Sequence, residues 1–181
     1  MRLFVAVFPS DEARADLKRR LASATRAGDR RSLDTVRLTP ADRWHITLRF
    51  LGEVADERQA DVEHALDDAA ARETFALRLA GGGRFGKGSS TALWAGVDGD
   101  LAALADLHAG VRDALNAGGL TGDDRPLTPH LTVAYARDNG VLRTLVDYVG
   151  PQWTVDEFVL VRSRYADGGG GYQNLRSWPL R

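Results

Sequence analysis

Short runs of alternating or continuous apolar residues are separated along this chain by stretches in which apolar residues recur every three or four positions. Residues 2–8 are apolar and end at Pro9, which predicts a strand, and Ser10-Asp11-Glu12 then offers a cap for a helix over Ala13 to Leu21. Gly28 and Asp29-Arg30-Arg31 predict a loop, Val36-Arg37-Leu38 a short extended piece and Pro40-Ala41-Asp42 a turn into a strand, Trp44 to Gly52. From about Asp56 to Ala71, Val62, Leu66 and Ala69 fall on one side of a second helix. Thr74 to Leu79 and Thr91 to Val97 predict a hairpin, with Gly81 to Ser90 as its glycine-rich turn. Leu101, Leu104, Leu107, Val111 and Leu115 mark a helix over Asp100 to Asn116, stopped by Gly118-Gly119. The charged loop Thr121 to Pro129 leads into a strand at His130. Val141 to Val149 predicts a short helix, Trp153 to Arg164 one strand, and Tyr172 to Leu180 a final extended piece after the turn Gly168 to Gly171.

Interleaved strands and helices, with strand pairs side by side in sequence, suit an α+β fold built from antiparallel sheets. Without a long linker or low-complexity segment, residues 1–181 are expected to form one compact unit of two similar lobes with a cleft between them.

Composition narrows the function. The chain has 44% hydrophobic and 27% charged residues, ordinary globular material, and a net charge of −1 that argues against wrapping long nucleic acid. A small anion remains a fitting ligand. The absence of cysteine removes disulfides, thiolate metal sites and a cysteine nucleophile. The opening apolar run is too short to span a bilayer and Asp11-Glu12 follow directly, so a protein without membrane contact is expected, cytoplasmic in keeping with its lack of cysteine; it is also expected to be a monomer.

The candidate chemistry lies in two strands. His45-Ile46-Thr47-Leu48-Arg49-Phe50 and His130-Leu131-Thr132-Val133 each carry a histidine and a threonine two positions apart, on one face by strand alternation. By the same parity Arg49 joins His45 and Thr47, while Ile46, Leu48 and Phe50 pack. If the two strands face one another, one imidazole can accept a proton while the other donates one, and the threonine hydroxyls can hold the oxygens of a phosphate. Two histidines without a third ligand make a poor zinc site, so no metal is expected.

These motifs resemble those of the two-histidine phosphoesterases, and within them the bacterial and archaeal RNA 2′,3′-cyclic phosphodiesterases, once described as 2′-5′ RNA ligases. The likeness extends to Phe50-Leu51-Gly52-Glu53, Arg2-Leu3-Phe4-Val5-Ala6, Leu93-Trp94-Ala95-Gly96-Val97 and Ser177-Trp178-Pro179-Leu180. It implies a bilobal α+β fold with pseudo-twofold symmetry and a cofactor-free, metal-independent hydrolysis of terminal 2′,3′-cyclic phosphates to 2′-phosphates. RNA 3′ ends or small cyclic nucleotides would be the partners. His45 would protonate the leaving 3′ oxygen, His130 would activate water, and Thr47 and Thr132 would bind the phosphate. That family often carries an arginine five residues after the second histidine, where this chain has Tyr135, with Arg137 two further on. Parity puts both on the face opposite His130 unless a bulge intervenes. Arg49, Tyr135 and Arg137 are therefore candidate substrate contacts only.

Other readings compete. The same residues would serve another cyclic phosphate, 2′-5′ ligation, or an RNA-end binding module without turnover. Gly81 to Lys87 has the glycine and lysine spacing of a phosphate loop, but Gly88 stands where a serine or threonine should hold magnesium and a strand follows. His64 and His108 read as surface residues, the four tryptophans (44, 94, 153 and 178) as core, and Arg19, Arg20, Arg26, Arg30 and Arg31 as a solvated face that would at most guide RNA.

Overall fold

The alternation of apolar strands and amphipathic helices is realised in a computed structural model that describes residues 1–27, 36–86, 91–123, 125–136, 140–165 and 170–181. Its strands and α-helices run β1 (Arg2–Val7), α1 (Asp11–Ala27), β2 (Val36–Leu38), β3 (Ile46–Glu53), α2 (Gln59–Asp67), β4 (Phe75–Phe85), β5 (Ala92–Gly99), α3 (Leu101–Ala117), β6 (His130–Ala136), α4 (Gly140–Leu145), β7 (Val149–Val155), β8 (Glu157–Ser163) and β9 (Tyr172–Pro179). All ladders are antiparallel, in sheets ordered β3-β1-β8-β9 and β2-β6-β5-β4-β7. The second sheet repeats the order of the first, with β6-β5-β4-β7 standing for β3-β1-β8-β9. β2 is added outside β6.

Local signals start the helices. Ser10 Oγ accepts the Ala13 N–H at 3.1 Å and Asp100 Oδ1 the Ala103 N–H at 2.9 Å, so each cap satisfies a donor that the first turn leaves over. On α3, Leu104, Leu107, Val111 and Leu115 are buried completely, each contributing roughly 1.5–3 kcal/mol of transfer free energy, whereas Leu101 is exposed. The helices are exchanged between the sheets. α1 follows β1 yet packs with α4 on β7 and β4, and α3 follows β5 yet packs with α2 on β3. One apolar core, from Leu3 and Leu17 to Leu131 and Trp178, therefore runs through both halves. No helix among the described residues is long and apolar enough to cross a membrane.

Several boundaries differ from the hydrophobic pattern. The expected helix over 56–71 is an α-helix, Gln59–Asp67, between two 3-10 turns, although Val62, Leu66 and Ala69 are buried together as anticipated. The helix expected over Val141 to Val149 stops at Leu145, and Val149 opens β7. Gly81 to Phe85 belongs to β4 instead of a turn, with a register shift between Leu79 and Gly82. Its glycines permit close approach: a Cβ on Gly83 would lie 2.2 Å from the Trp94 ring. The single strand expected over Trp153 to Arg164 is two, because the chain changes sheets at Asp156, whose carbonyl accepts the Leu180 N–H at 2.7 Å. Alternation continues across that junction without a turn, so the pattern carries no mark of it.

Candidate active site

Both histidines are held by the same local device. His45 immediately precedes β3 and His130 opens β6; the Nδ1 of each lies 2.7 Å from the backbone carbonyl two residues upstream, that of Arg43 and of Thr128 respectively. A carbonyl only accepts, so each Nδ1 carries the proton and donates it. Each Nε2 is thereby left to accept or donate according to its charge.

The strands beyond share a second device. In the β1–β3 ladder Ala6 faces Thr47 and Val5 faces Arg49, which leaves Leu48 as an extra residue. In the β5–β6 ladder Trp94 faces Thr132 and Leu93 faces Ala134, which leaves Val133 as the extra residue. Each bulge lies three positions after its histidine and reverses the alternation for the residues that follow, until β3 shifts again at Leu51. His45, Thr47 and Phe50 consequently line one cleft together with His130, Thr132 and Tyr135.

This corrects the parity argument at three positions. Arg49 does not share the face of His45 and Thr47: it is 2% exposed in the core, with Nη1 donating to the Asp123 carbonyl at 2.7 Å and Nη2 to Asn116 Oδ1 at 3.2 Å. Phe50 does not pack inward; it takes the cleft-facing place that Arg49 was expected to occupy and is 45% exposed. Tyr135 is on the same side as His130 because the bulge intervenes. Arg137 lies outside the described residues, as do Arg30, Arg31, Lys87 and Gly88.

Arg49 has a different task. It reaches from the first motif strand to the loop that leads into the second, and the Asp123 N–H returns a bond to the Phe50 carbonyl at 3.1 Å. Gly122 makes that approach possible, since a Cβ there would lie 2.3 Å from the Phe50 carbonyl oxygen. Arg125 holds the Asp123 carboxyl down to about 2 by hydrogen bonds from its side chain and backbone, so the loop keeps its charge pair throughout the neutral range.

The cleft encloses about 590 Å³ and is lined by Arg2, Arg37 and Arg43, with no carboxylate among its described lining residues. These arginines were missed in the sequence reading. Arg43 carried a usable signal, two positions before His45, but Arg37 reaches the cleft only because β2 pairs with β6 and sets it opposite Tyr135. Its guanidinium carbon stands 4.9 Å from the Tyr135 ring centre; Arg43 lies similarly over Tyr165, 5.1 Å away, and also donates to its hydroxyl. Such a lining favours an anion with several oxygens. Among the described residues no group of three or more His, Cys, Asp or Glu is placed to hold a metal ion.

The two imidazoles differ in their surroundings. His45 sits among Phe4, Phe8 and Tyr172, with ring centres 4.8, 6.1 and 5.3 Å away. Burial there lowers its pKa from the ordinary histidine value; the bond to Arg43 opposes this and the nearness of His130 adds to it. His130 meets Phe85 at 4.8 Å and Trp94 at 5.9 Å. Trp94 is only half-buried, whereas Trp44, Trp153 and Trp178 are core residues as expected. His64 is exposed, His108 half-buried on α3, and Arg19 and Arg20 pair with Asp16 and Asp147 outside the cleft lining.

The chain is similar to known proteins in both sequence and fold. A family model described as the 2′-5′ RNA ligase superfamily matches residues 9–167. The chain is 34% identical to an RNA 2′,3′-cyclic phosphodiesterase of Thermus thermophilus, covering 100% of this chain and 91% of that one. It is 30% identical to a protein of the same name from Archaeoglobus fulgidus, covering 97% and 98%. The crystal structure of Escherichia coli LigT in apo form superposes with a TM-score of 0.77 at 26% identity, over 99% of this chain and 96% of that one. The same protein has been solved in complex with 3′-AMP, at a TM-score of 0.76 and 25% identity over 99% and 97% of the two chains.

Proposed function

The chain belongs to the 2′-5′ RNA ligase superfamily, and from that premise we propose that it is an RNA 2′,3′-cyclic phosphodiesterase whose cleft opens the cyclic phosphate by proton transfer between His45 and His130. The observation that carries this reading is the pair of histidines, each anchored through Nδ1 to a backbone carbonyl, beside two threonines in a cleft lined by arginine and free of carboxylates among its described lining residues. The cyclic phosphate lies between the imidazoles, with its non-bridging oxygens on the Thr47 and Thr132 hydroxyls. His130 takes a proton from water as the water oxygen bonds to phosphorus; the bond to the 3′ oxygen breaks and His45 gives that oxygen its proton. A 2′-phosphomonoester remains. The threonine donors stabilise the charge on the equatorial oxygens as it grows, and the surrounding arginines supply a field of the same sign.

Hydrolysis of an oligonucleotide ending in a 2′,3′-cyclic phosphate, in excess chelator, tests the proposal. A 2′-phosphate product is expected. A 3′-phosphate product, loss of turnover with chelator, or full activity in either His45→Ala or His130→Ala would overturn it.

A second assignment of roles, with His45 as base and His130 as acid, is favoured by the burial that lowers the His45 pKa in the empty cleft. A substrate whose leaving 3′ oxygen is replaced by sulfur distinguishes the two, because a thiolate departs without a proton. Rescue of His45→Ala by that substrate makes His45 the acid; rescue of His130→Ala exchanges the roles.

A further inference from the structure

β2 is the one strand of its sheet without a counterpart in the other, and it adds a single cation to the cleft wall. Arg37 stands opposite Tyr135 in the β2–β6 register, and Leu38 opposite Ala134. The pairing continues as the Thr39 N–H donates to the carbonyl of the bulged Val133 at 2.8 Å, so β2 is fixed to the residue that turns Tyr135 into the cleft. Arg37, Leu38, Thr39 and Tyr135 all line it.

The chemistry of this corner differs from that around Arg43. Both arginines lie over a tyrosine ring, but Arg43 also spends a donor on the Tyr165 hydroxyl. A guanidinium held by a ring through its charge has N–H donors to offer a phosphate edge. No carboxylate stands beside it among the described residues that line the cleft. Tyr135 lies five positions after His130 on β6, a span of at most about 16 Å at strand rise, shortened by the bulge at Val133. The pair therefore lines the same cleft as the histidines but further along its β6 wall, on the side where a nucleotide preceding the cyclic phosphate would lie.

We propose that Arg37 and Tyr135 form a subsite for the nucleotide preceding the cyclic phosphate, the guanidinium binding its phosphodiester and the exposed ring and Leu38 its sugar or base. The enzyme is then selective for oligonucleotide ends over mononucleoside 2′,3′-cyclic phosphates. This rests on the proposed function above and adds a substrate-length preference to it.

The test compares kcat/KM for a dinucleotide and a mononucleotide, each ending in a 2′,3′-cyclic phosphate. The native protein should prefer the dinucleotide, and Arg37→Ala should lower the ratio of the two roughly tenfold, mainly through the dinucleotide KM, by loss of a charge-assisted contact. Arg37→Lys should restore part of the ratio, since charge returns without the planar stack. The salt dependence of the dinucleotide KM should weaken in Arg37→Ala by about one phosphate contact. An unchanged ratio, or an equal loss on both substrates, overturns the subsite while turnover of the mononucleotide keeps the proposed function standing. Absence of turnover on both substrates by the native protein overturns the function itself.

Discussion

The two motif strands share a backbone plan and differ in what surrounds it. β3 and β6 each place a histidine against an upstream carbonyl, a threonine two residues on, a bulge at the next residue and an aromatic ring at the fifth position after the histidine. The neighbours break the symmetry. β3 is an edge strand whose histidine is enclosed by Phe4, Phe8 and Tyr172, while β6 is covered by β2 and receives Arg37. At the position after each bulged residue, β3 has the buried Arg49 and β6 the small Ala134. Equivalent placement with unequal surroundings suits the proposed chemistry, which asks one imidazole to accept a proton and the other to donate one.

The comparison breaks most sharply at the histidines. His45→Ala and His130→Ala should each reduce kcat by roughly 10²–10⁴-fold with the circular dichroism spectrum unchanged. A loss confined to one of them would end the equivalence. Thr47→Val and Thr132→Val should each lower kcat/KM by about 100-fold and to a similar extent, as expected for donors to one shared phosphate. Steady-state kinetics on a cyclic-phosphate end reads both.

A smaller effect separates the two post-bulge positions. Arg49→Met should destabilise the fold by about 2 kcal/mol in urea unfolding, because it strips partners from the Asp123 carbonyl and Asn116. Ala134→Ser should change stability much less. The smallest expected effect is a pH dependence. His45 has a folded pKa below its unfolded value of about 6.5, so the unfolded chain binds more protons as pH falls through that value. The stability contributed by neutral His45 is complete above that pH and lost progressively below it. Unfolding free energy measured between pH 7.5 and 5 should fall less steeply in His45→Gln than in the native protein.

Much of this was readable from the chain. The paired histidines and threonines, the α+β alternation and the faces of the long helices follow from spacing, because strands and helices impose fixed periods on what can be buried. The bulges do not announce themselves that way. Leu48 and Val133 look like ordinary strand residues, and their displacement is visible only against Val5-Ala6 and Leu93-Trp94, residues far away in sequence. The undetected bulge at Leu48 sent Arg49 to the wrong face and hid Phe50, while the one at Val133 is what brings Tyr135, named only as a candidate contact, onto the side of His130. Arg37 was illegible for a related reason: a three-residue strand has too little period to reveal which strand it joins.

The exchange of helices gives the duplication a consequence for how the enzyme can fail. The first sheet needs β8 and β9 from the end of the chain and is covered by α3 from its middle, while the second is covered by α1 from near the start. Each half therefore borrows part of its cover from the other. The two histidine strands, β3 and β6, accordingly share one core and one set of crossed-over helices, so a substitution that loosens the packing of either sheet is felt at both ends of the cleft.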